Sequence, residues 1–583
     1  MSFQKNLDHW SLYAPKEAVL LPYVDEKGLK LIEGKLKGEK GFYEPFKKID
    51  EPLVPVILIY GVGLGESYSL LADWLKKDAN NKIIYFEEDP RVIKHLLKSK
   101  LGSSLIQDPQ VELHYISSFD DKEGAFENTY WSMVGKKFTV AAHPSYLKWY
   151  PSRFEEFQNK IFHESAIKNS LVEEYLQLSV PFFRNFYANL NELPKAIRGD
   201  KFFDQFKGIP AIITGAGPSL EKQIPHLKAL KSDAILFSGG SSLNALLHKE
   251  VKPDFAAAID PNSLQIERLK DSQREAIPFI YRTRLHFEAA KLIKGKRIYV
   301  PGAGGYDLPN FFEEKFGIEA PFIDEGFNVV NFLIQVATLM GCNPIILIGV
   351  DLAFTNQKTY ASGVVSSKEK EDFQVEDFAH IIREDYQGNK VATQWKWLAE
   401  AEWIAKFQKE HPDTKLINAT EGGLKIEGIE HLPFNLVKEK YFKEHPDLKK
   451  SIEKLLNQSP PFSQKKIDEA REELKTSLNK SVEYLKILLE DGVKRSKRFI
   501  SAPVQVTLIE QELLDEPAYS YILDLFNSVY ARMQSKDHLD LKLRKVKGTT
   551  LEKEKLKLQN KRVQFLINVA EVNLKLLDWA KTI

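Results

Sequence analysis

One cysteine, Cys342, stands in 583 residues, which excludes an internal disulfide framework and a cysteine-based zinc site. Charge of one sign is also missing: 82 Lys and Arg face 81 Asp and Glu, a net +1. A dedicated nucleic-acid binder is usually strongly basic, so no nucleic-acid partner is expected. No apolar run approaches the ~18 residues that cross a bilayer. The longest, around Pro55 to Leu64, is broken by Gly61 and Gly63. The opening Met1-Ser-Phe-Gln-Lys-Asn-Leu-Asp-His-Trp10 lacks the apolar core of a signal peptide. The expectation is a cytoplasmic protein with no membrane span. Metal signatures are absent too. The 13 histidines show no zinc spacing, and neither Asp-x-Asp nor Gly-Lys-Ser/Thr occurs, so no metal site and no Walker-type loop are expected.

What is present is an ordinary globular mix, 43% hydrophobic and 28% charged, in a chain long enough for several domains. The pattern predicts an α/β protein: a Rossmann-like central domain with a parallel sheet, a smaller Rossmann-like N-terminal domain and an all-α C-terminal bundle. Boundaries are expected at 1–163, 164–435 and 436–583. In the first region Val56 to Tyr60 reads as a strand, Gly61-Val-Gly-Leu-Gly65 as a turn, Ser67 to Lys77 as a helix and Lys82 to Phe86 as a second strand. Glu87, 22 residues after Gly65, stands near where a ribose-binding acid belongs. Cofactor binding and plain tight packing are both compatible with that spacing.

The central region alternates β-branched runs with helical stretches, as parallel sheets require. Strands are expected at Ala211 to Thr214, Ala234 to Ser238, Phe255 to Ile259, Pro278 to Arg282, Arg297 to Val300, Pro344 to Gly349 and Lys415 to Asn418. The C-terminal region is rich in Lys, Glu and Leu. It reads as three long helices, Ser463 to Phe499, Val504 to Ser535 and Leu551 to Lys581.

The most informative segment is Ala211-Ile-Ile-Thr-Gly-Ala-Gly-Pro-Ser-Leu220. A buried strand ends at Thr214 and enters a turn of Gly215, Ala216, Gly217 and Pro218, with Ser219 placed to cap the next helix. Such a turn aims main-chain N–H groups above the strand, where a nucleotide phosphate fits. About 20 residues on stands Phe237-Ser-Gly-Gly-Ser-Ser242, with no carboxylate, so an NAD ribose is not expected there. Asp260 and Asn262, at the third strand end, could hold ribose hydroxyls or a base edge. Arg282 could grip a sugar carboxylate bidentately, or form an ordinary ion pair.

Taken together, Gly215-Ala-Gly-Pro-Ser-Leu220, Pro253-Asp-Phe, Ala258-Ile-Asp-Pro261, Ile348-Gly-Val-Asp-Leu352 and Asn418-Ala-Thr-Glu-Gly-Gly423 resemble the motility-associated factor (Maf) glycosyltransferases. Their central domain is also called domain of unknown function 115, and it is similar to 6-hydroxymethylpterin diphosphokinase MptE-like proteins. The glycine segment is similar as well to bacterial sialyltransferases with a Rossmann-like nucleotide fold. The resemblance implies transfer of a nonulosonic acid (pseudaminic, legionaminic or sialic type) from a CMP-linked donor to Ser or Thr of a flagellin-like protein. No cofactor is implied, and a monophosphate leaving group needs no metal.

Carried residue by residue, the resemblance implies that Gly215, Ala216, Gly217, Pro218 and Ser219 line the CMP pocket, and that Gly240 and Ser241 contact the nucleoside. Asn328 would touch the phosphate, Asp351 would organise the late strand end, and Tyr360 would bond the leaving phosphate. Thr420 lies in the last motif. The sialyltransferases' Gly-His-Ser histidine has no counterpart, which leaves His380, Asp385 and Glu402 as candidates for the base. Two rival expectations are an ATP–Mg-dependent 6-hydroxymethyl-7,8-dihydropterin diphosphokinase-like enzyme and a non-catalytic nucleotide-binding partner or chaperone of an exported protein.

Overall fold

The computed structural model describes residues 3–27, 29, 55–119, 125–177, 179–230, 232–270, 275–302, 304–324, 328–355, 358–364, 381–445, 447–498, 504–543 and 548–583. Contacts divide the chain into two compact units. Unit one comprises 1–173, 492–501 and 528–562; unit two comprises 174–491, 502–527 and 563–583. The C-terminal helices therefore contribute segments to both.

Unit one is built on four parallel strands, β1 (Val56–Tyr60), β2 (Lys82–Glu87), β3 (Val111–Tyr115) and β4 (Phe138–Ala142), in the order β3-β2-β1-β4. β1 is buried along its whole length, as its unbroken Val-Ile-Leu-Ile-Tyr composition requires of a strand covered on both faces. The chain leaves β1 toward β2 and later returns to the other side of β1 as β4. That reversal opens a crevice at the strand ends. The strand–turn–helix–strand unit read from the sequence is present, with its helix at Glu66–Lys77.

Unit two carries nine parallel strands. They are β5 (Ile197–Arg198), β6 (Ala211–Thr214), β7 (Ile235–Gly239), β8 (Phe255–Ala258), β9 (Phe279–Tyr281), β10 (Arg297–Tyr299), β11 (Ile345–Ile348), β14 (Leu416–Asn418) and β15 (Glu430–His431). A separate antiparallel hairpin joins β12 (Ile381–Glu384) to β13 (Lys390–Thr393). The order is β15-β14-β11-β6-β7-β8-β9-β10-β5. Successive residues of each strand serve opposite faces. Ile213, Phe237 and Leu347 join one buried cluster with the helix Val329–Leu339. Ile212, Leu236 and Ile346 join another, which includes Leu220, Leu227, Leu246 and Phe434. Phe332, Leu333 and Ile334 are fully buried in that helix, and each stabilises the fold by roughly 1.5–3 kcal/mol.

The C-terminal helices run Gln464–Arg498, Val504–Leu514, Asp524–Leu543 and Gly548–Ala580. The middle helix expected as one piece is interrupted. Pro517 disfavours helical backbone at Glu516, and the Ala518 N–H then bonds Ser477 Oγ at 2.9 Å. A π-helical turn, Tyr519–Leu523, leads into the next segment. Within unit two these helices pack on Ser179–Leu190: Tyr187 Oη donates to Asn573 at 2.7 Å, and Arg471 donates to Asn191 at 2.6 Å. No described helix is long and apolar enough to cross a membrane.

Candidate functional site at the end of the central sheet

β6 is flanked by β7, which follows it in the chain, and by β11, which arrives only after the sheet has been built outward to β10. The carboxyl ends of β6 and β11 therefore border the switch point of unit two, where open α/β sheets take their ligands. Thr214 ends β6, and the turn that follows is pressed against the end of β11. A Cβ on Gly215 would stand 2.3 Å from the Gly349 carbonyl oxygen, and one on Gly217 would stand 2.0 Å from Asp351 Oδ2. Only glycine permits that approach. Ala216, Gly217 and Pro218 stay half-buried, while Gly215 and Ser219 are buried.

Ser219 corrects one expectation. It occupies the position before the helix Leu220–Lys228, but its side chain caps nothing. The hydroxyl donates to Asp351 Oδ2 at 2.7 Å, and the Ser219 N–H donates to Asp351 Oδ1 at 3.3 Å. Burial pushes the Asp351 carboxyl up from the usual carboxylate range, against the pull of these bonds. Asp351 is itself held by the last motif. Its carbonyl accepts the Leu424 N–H at 2.7 Å, and Thr420 Oγ1 accepts the Val350 N–H at 3.1 Å. A Cβ on Gly423 would collide with the Asp351 carbonyl at 2.1 Å. Tyr360 belongs to the same corner: the next residue, Ala361, donates its N–H to the Ala216 carbonyl at 2.9 Å, and the Ser362 N–H bonds Glu221 at 2.7 Å.

The remaining expected residues form separate groups. Gly240, at φ +53°, starts the helix Ser241–His248, with Val329 lying over Gly239 and Gly240. Asn328 caps the helix Val329–Leu339, and its side-chain oxygen accepts the Val330 and Asn331 N–H groups at 2.8 and 3.1 Å. Any phosphate there would compete with that cap. Asp260, at the end of β8, accepts from Gln265 at 2.8 Å and from Arg268 at 3.3 Å, while Asn262 is exposed. Arg282 is buried near Glu313, which bonds the Tyr299 hydroxyl and the Gly302 N–H. Asp385 sits in the exposed β12–β13 turn, accepting the Gln387 and Asn389 N–H groups at 2.8 Å each. His380 lies outside the described residues.

Several members of this corner were not legible beforehand. Leu352 takes a left-handed backbone, φ +50°, directly after Asp351. Strain of that kind is unusual for a leucine and gathers at functional sites. Thr393 Oγ1 holds it in place through the Leu352 carbonyl at 2.7 Å. Below the turn, Ser242 Oγ gathers the Thr214 carbonyl at 2.8 Å, the Gly239 carbonyl at 2.9 Å and the Ser238 hydroxyl at 3.0 Å. Away from this corner, beside the Asn328 cap, Glu400 is buried, and burial lifts its carboxyl to about 7. Nothing local in the sequence marks a buried acid on an otherwise ordinary helix. Among the described residues, no group of three or more His, Cys, Asp or Glu side chains could hold a metal ion.

No curated protein matches the chain. A solved structure described as MAf glycosyltransferase from Magnetospirillum magneticum AMB-1 is similar at 15% identity and a TM-score of 0.49, over 100% of this chain and 96% of that one. The switch-point turn, the Gly239–Gly240 helix start and Asp351 all fall within residues 184–357, and that segment matches the family described as 6-hydroxymethylpterin diphosphokinase MptE-like.

Proposed function

We propose that the chain is a glycosyltransferase that moves a nonulosonic acid from a CMP-linked donor to Ser or Thr hydroxyls of a flagellin-like protein, in the cytoplasm and without a metal. The observation that carries this reading is the half-exposed Ala216–Pro218 turn at the switch point, with the Tyr360 loop hydrogen-bonded to it. The turn would receive the CMP phosphate on main-chain N–H groups. Asp351 would hold the turn rather than the phosphate, because its carboxylate already takes both Ser219 donors. Tyr360 would donate to the leaving phosphate. Gly240, Ser241, Asp260 and Asn262 would receive the nucleoside, Arg282 the sugar carboxylate and Asn328 the phosphate, with Thr420 bracing the Asp351 corner and Asp385 a candidate base. Positioning and leaving-group stabilisation would supply most of the rate in a dissociative displacement at the sugar.

A second reading, transfer of diphosphate from ATP–Mg to a hydroxymethylpterin, is favoured by the family match over 184–357. Thermal-shift titration separates the two. CMP and CMP-N-acetylneuraminic acid are expected to raise Tm, and that rise should vanish in Gly217→Ala. Mass spectrometry should then find the sugar on flagellin Ser or Thr after incubation in excess chelator. A rise with ATP–Mg and none with CMP would transfer the assignment to the diphosphokinase. A tenfold loss of sugar transfer in chelator would overturn the metal-free mechanism.

A further inference from the structure

Unit one carries an open cleft of about 630 Å³ at the carboxyl ends of β1 and β2, beside the segment that follows β4. That is the switch point of the smaller sheet, and the volume falls in the roughly 300–1,000 Å³ range of small-molecule sites. Nothing in the central site accounts for it. Three observations define what it can hold.

The first removes the dinucleotide that the glycine turn and Glu87 suggested. The turn is covered by protein. A Cβ on Gly61 would stand 2.6 Å from the Tyr146 ring, and one on Gly63 would stand 2.9 Å from the His143 ring. Glu87 is buried and spent: it accepts the Val62 N–H at 3.0 Å, the Asp89 N–H at 2.9 Å and the Tyr146 hydroxyl at 2.8 Å. The glycines serve close packing, and the acid ties the turn to β2 and to Tyr146. A pyrophosphate laid along the turn would have to displace both rings.

The second observation is the charge on the cavity wall. Glu88 pairs with Arg153 at 2.6 Å and accepts the Tyr60 hydroxyl at 2.6 Å; Asp89 pairs with Arg91 at 2.6 Å. All four charged side chains remain partly open, between 22% and 38% exposed. An ion pair of this kind offers acceptor and donor side by side at no net charge. Neighbouring hydroxyls can bond to both members and leave the pair intact. An anion would instead pull the arginine away and face unpartnered carboxylates, with Asp25 adding a further acid to the wall.

The third is an aromatic wall. Trp149 and the exposed Tyr150 line the same cavity, with their rings edge to face at a centroid distance of 6.4 Å. The C–H face of a pyranose carries slight positive charge and settles against the negative face of such rings. An aromatic wall opposite paired charges suits a ligand with one apolar face and a rim of hydroxyls.

We propose that this cavity binds a neutral carbohydrate of one or two pyranose rings, at a site separate from the proposed nucleotide-sugar site. The test is saturation-transfer difference NMR on the intact chain, with lactose and N,N′-diacetylchitobiose as probes at millimolar concentration. At least one disaccharide is expected to show transfer, reduced fivefold or more in both Trp149→Ala and Tyr150→Ala. Tyr150 is 54% exposed, so its replacement leaves the fold intact, which the melting curve verifies. Excess CMP should not displace the sugar, so a failure of the central assignment would not be mistaken for a failure here. Absence of transfer from both sugars would overturn the proposal. So would transfer that survives both substitutions, displacement by CMP, or transfer from adenosine or S-adenosylmethionine in place of the sugars.

Discussion

Ser219 and Asp351 lie 132 positions apart in the chain, yet the hydroxyl and the main-chain N–H of the serine both end on the carboxylate of the aspartate. The pair ties the end of β6 to the end of β11. Asp351→Ala would strand both donors in a buried corner, and should lower the unfolding free energy by about 2–3 kcal/mol in urea titrations. Asp351→Asn keeps one acceptor oxygen and should cost less than half of that. Equal losses in the two variants would mean that packing, rather than the hydrogen bonds, holds the corner.

The glycines of the turn should tolerate alanine unequally. At Gly215 the new Cβ meets backbone, the Gly349 carbonyl at 2.3 Å, and backbone cannot step aside without separating β6 from β11. At Gly217 it meets the Asp351 side chain, Oδ2 at 2.0 Å and Cβ at 2.8 Å; the carboxylate can rotate away at the expense of the Ser219 bonds, and the Cβ then needs only a small shift. Gly215→Ala should therefore depress Tm more than Gly217→Ala. A reversed ranking in melting curves would show that Asp351 is the less movable of the two neighbours.

How much of this was legible follows from where each signal resides. The seven β-branched runs of the central region mark β6 to β11 and β14 to within one residue at each end, because strands buried on both faces must be apolar throughout. β5 and β15, at two residues each, are too short to show a period. In the β12–β13 hairpin, β12 alternates between half-buried and exposed residues and lacks the apolar signature. Ser219 shows a different limit. A serine before a helix is a cap by every local rule, and only a partner supplied by the fold reassigns its hydroxyl. The Gly61–Gly65 turn shows the same thing in reverse: its spacing fits a cofactor loop, but Tyr146 and His143 arrive from far along the chain to fill the space.

Unit one should show two opposed pH dependences. Burial raises Glu87 from 4.5 to about 7 and lowers His143 from 6.5 to about 4. Glu87 holds its proton longer when folded, so its contribution is complete below pH 4.5 and is lost as pH rises to about 7. His143 resists protonation when folded, so its contribution is complete above pH 6.5 and is lost as pH falls to about 4. Each amounts to about 3 kcal/mol at 1.36 kcal/mol per unit. The two largely cancel in the wild type. In His143→Asn, which keeps an acceptor for the Ser145 N–H, the wild-type-minus-variant stability should climb between pH 4 and 6.5 and then level off. In Glu87→Gln the same difference should fall between pH 4.5 and 7. A flat difference in either variant would mean that the group titrates as it does in water.

Cys342 gives unit two a built-in reporter. It is 1% exposed, follows the helix Val329–Leu339, and has its thiol pushed up by burial, so the native chain presents neither an accessible sulfur nor a thiolate. Ellman's reagent should therefore find no fast-reacting thiol in the folded protein and one per chain in denaturant. The slow native reaction must pass through opening of the core that Cys342 shares with Leu347 and Val350, next to Asp351. Its rate then follows the free energy of that opening. If Asp351→Ala destabilises the corner as argued, labelling should accelerate about tenfold for each 1.4 kcal/mol lost. A variant that melts early but labels at the wild-type rate would show that the Ser219–Asp351 pair and the Cys342 core open independently.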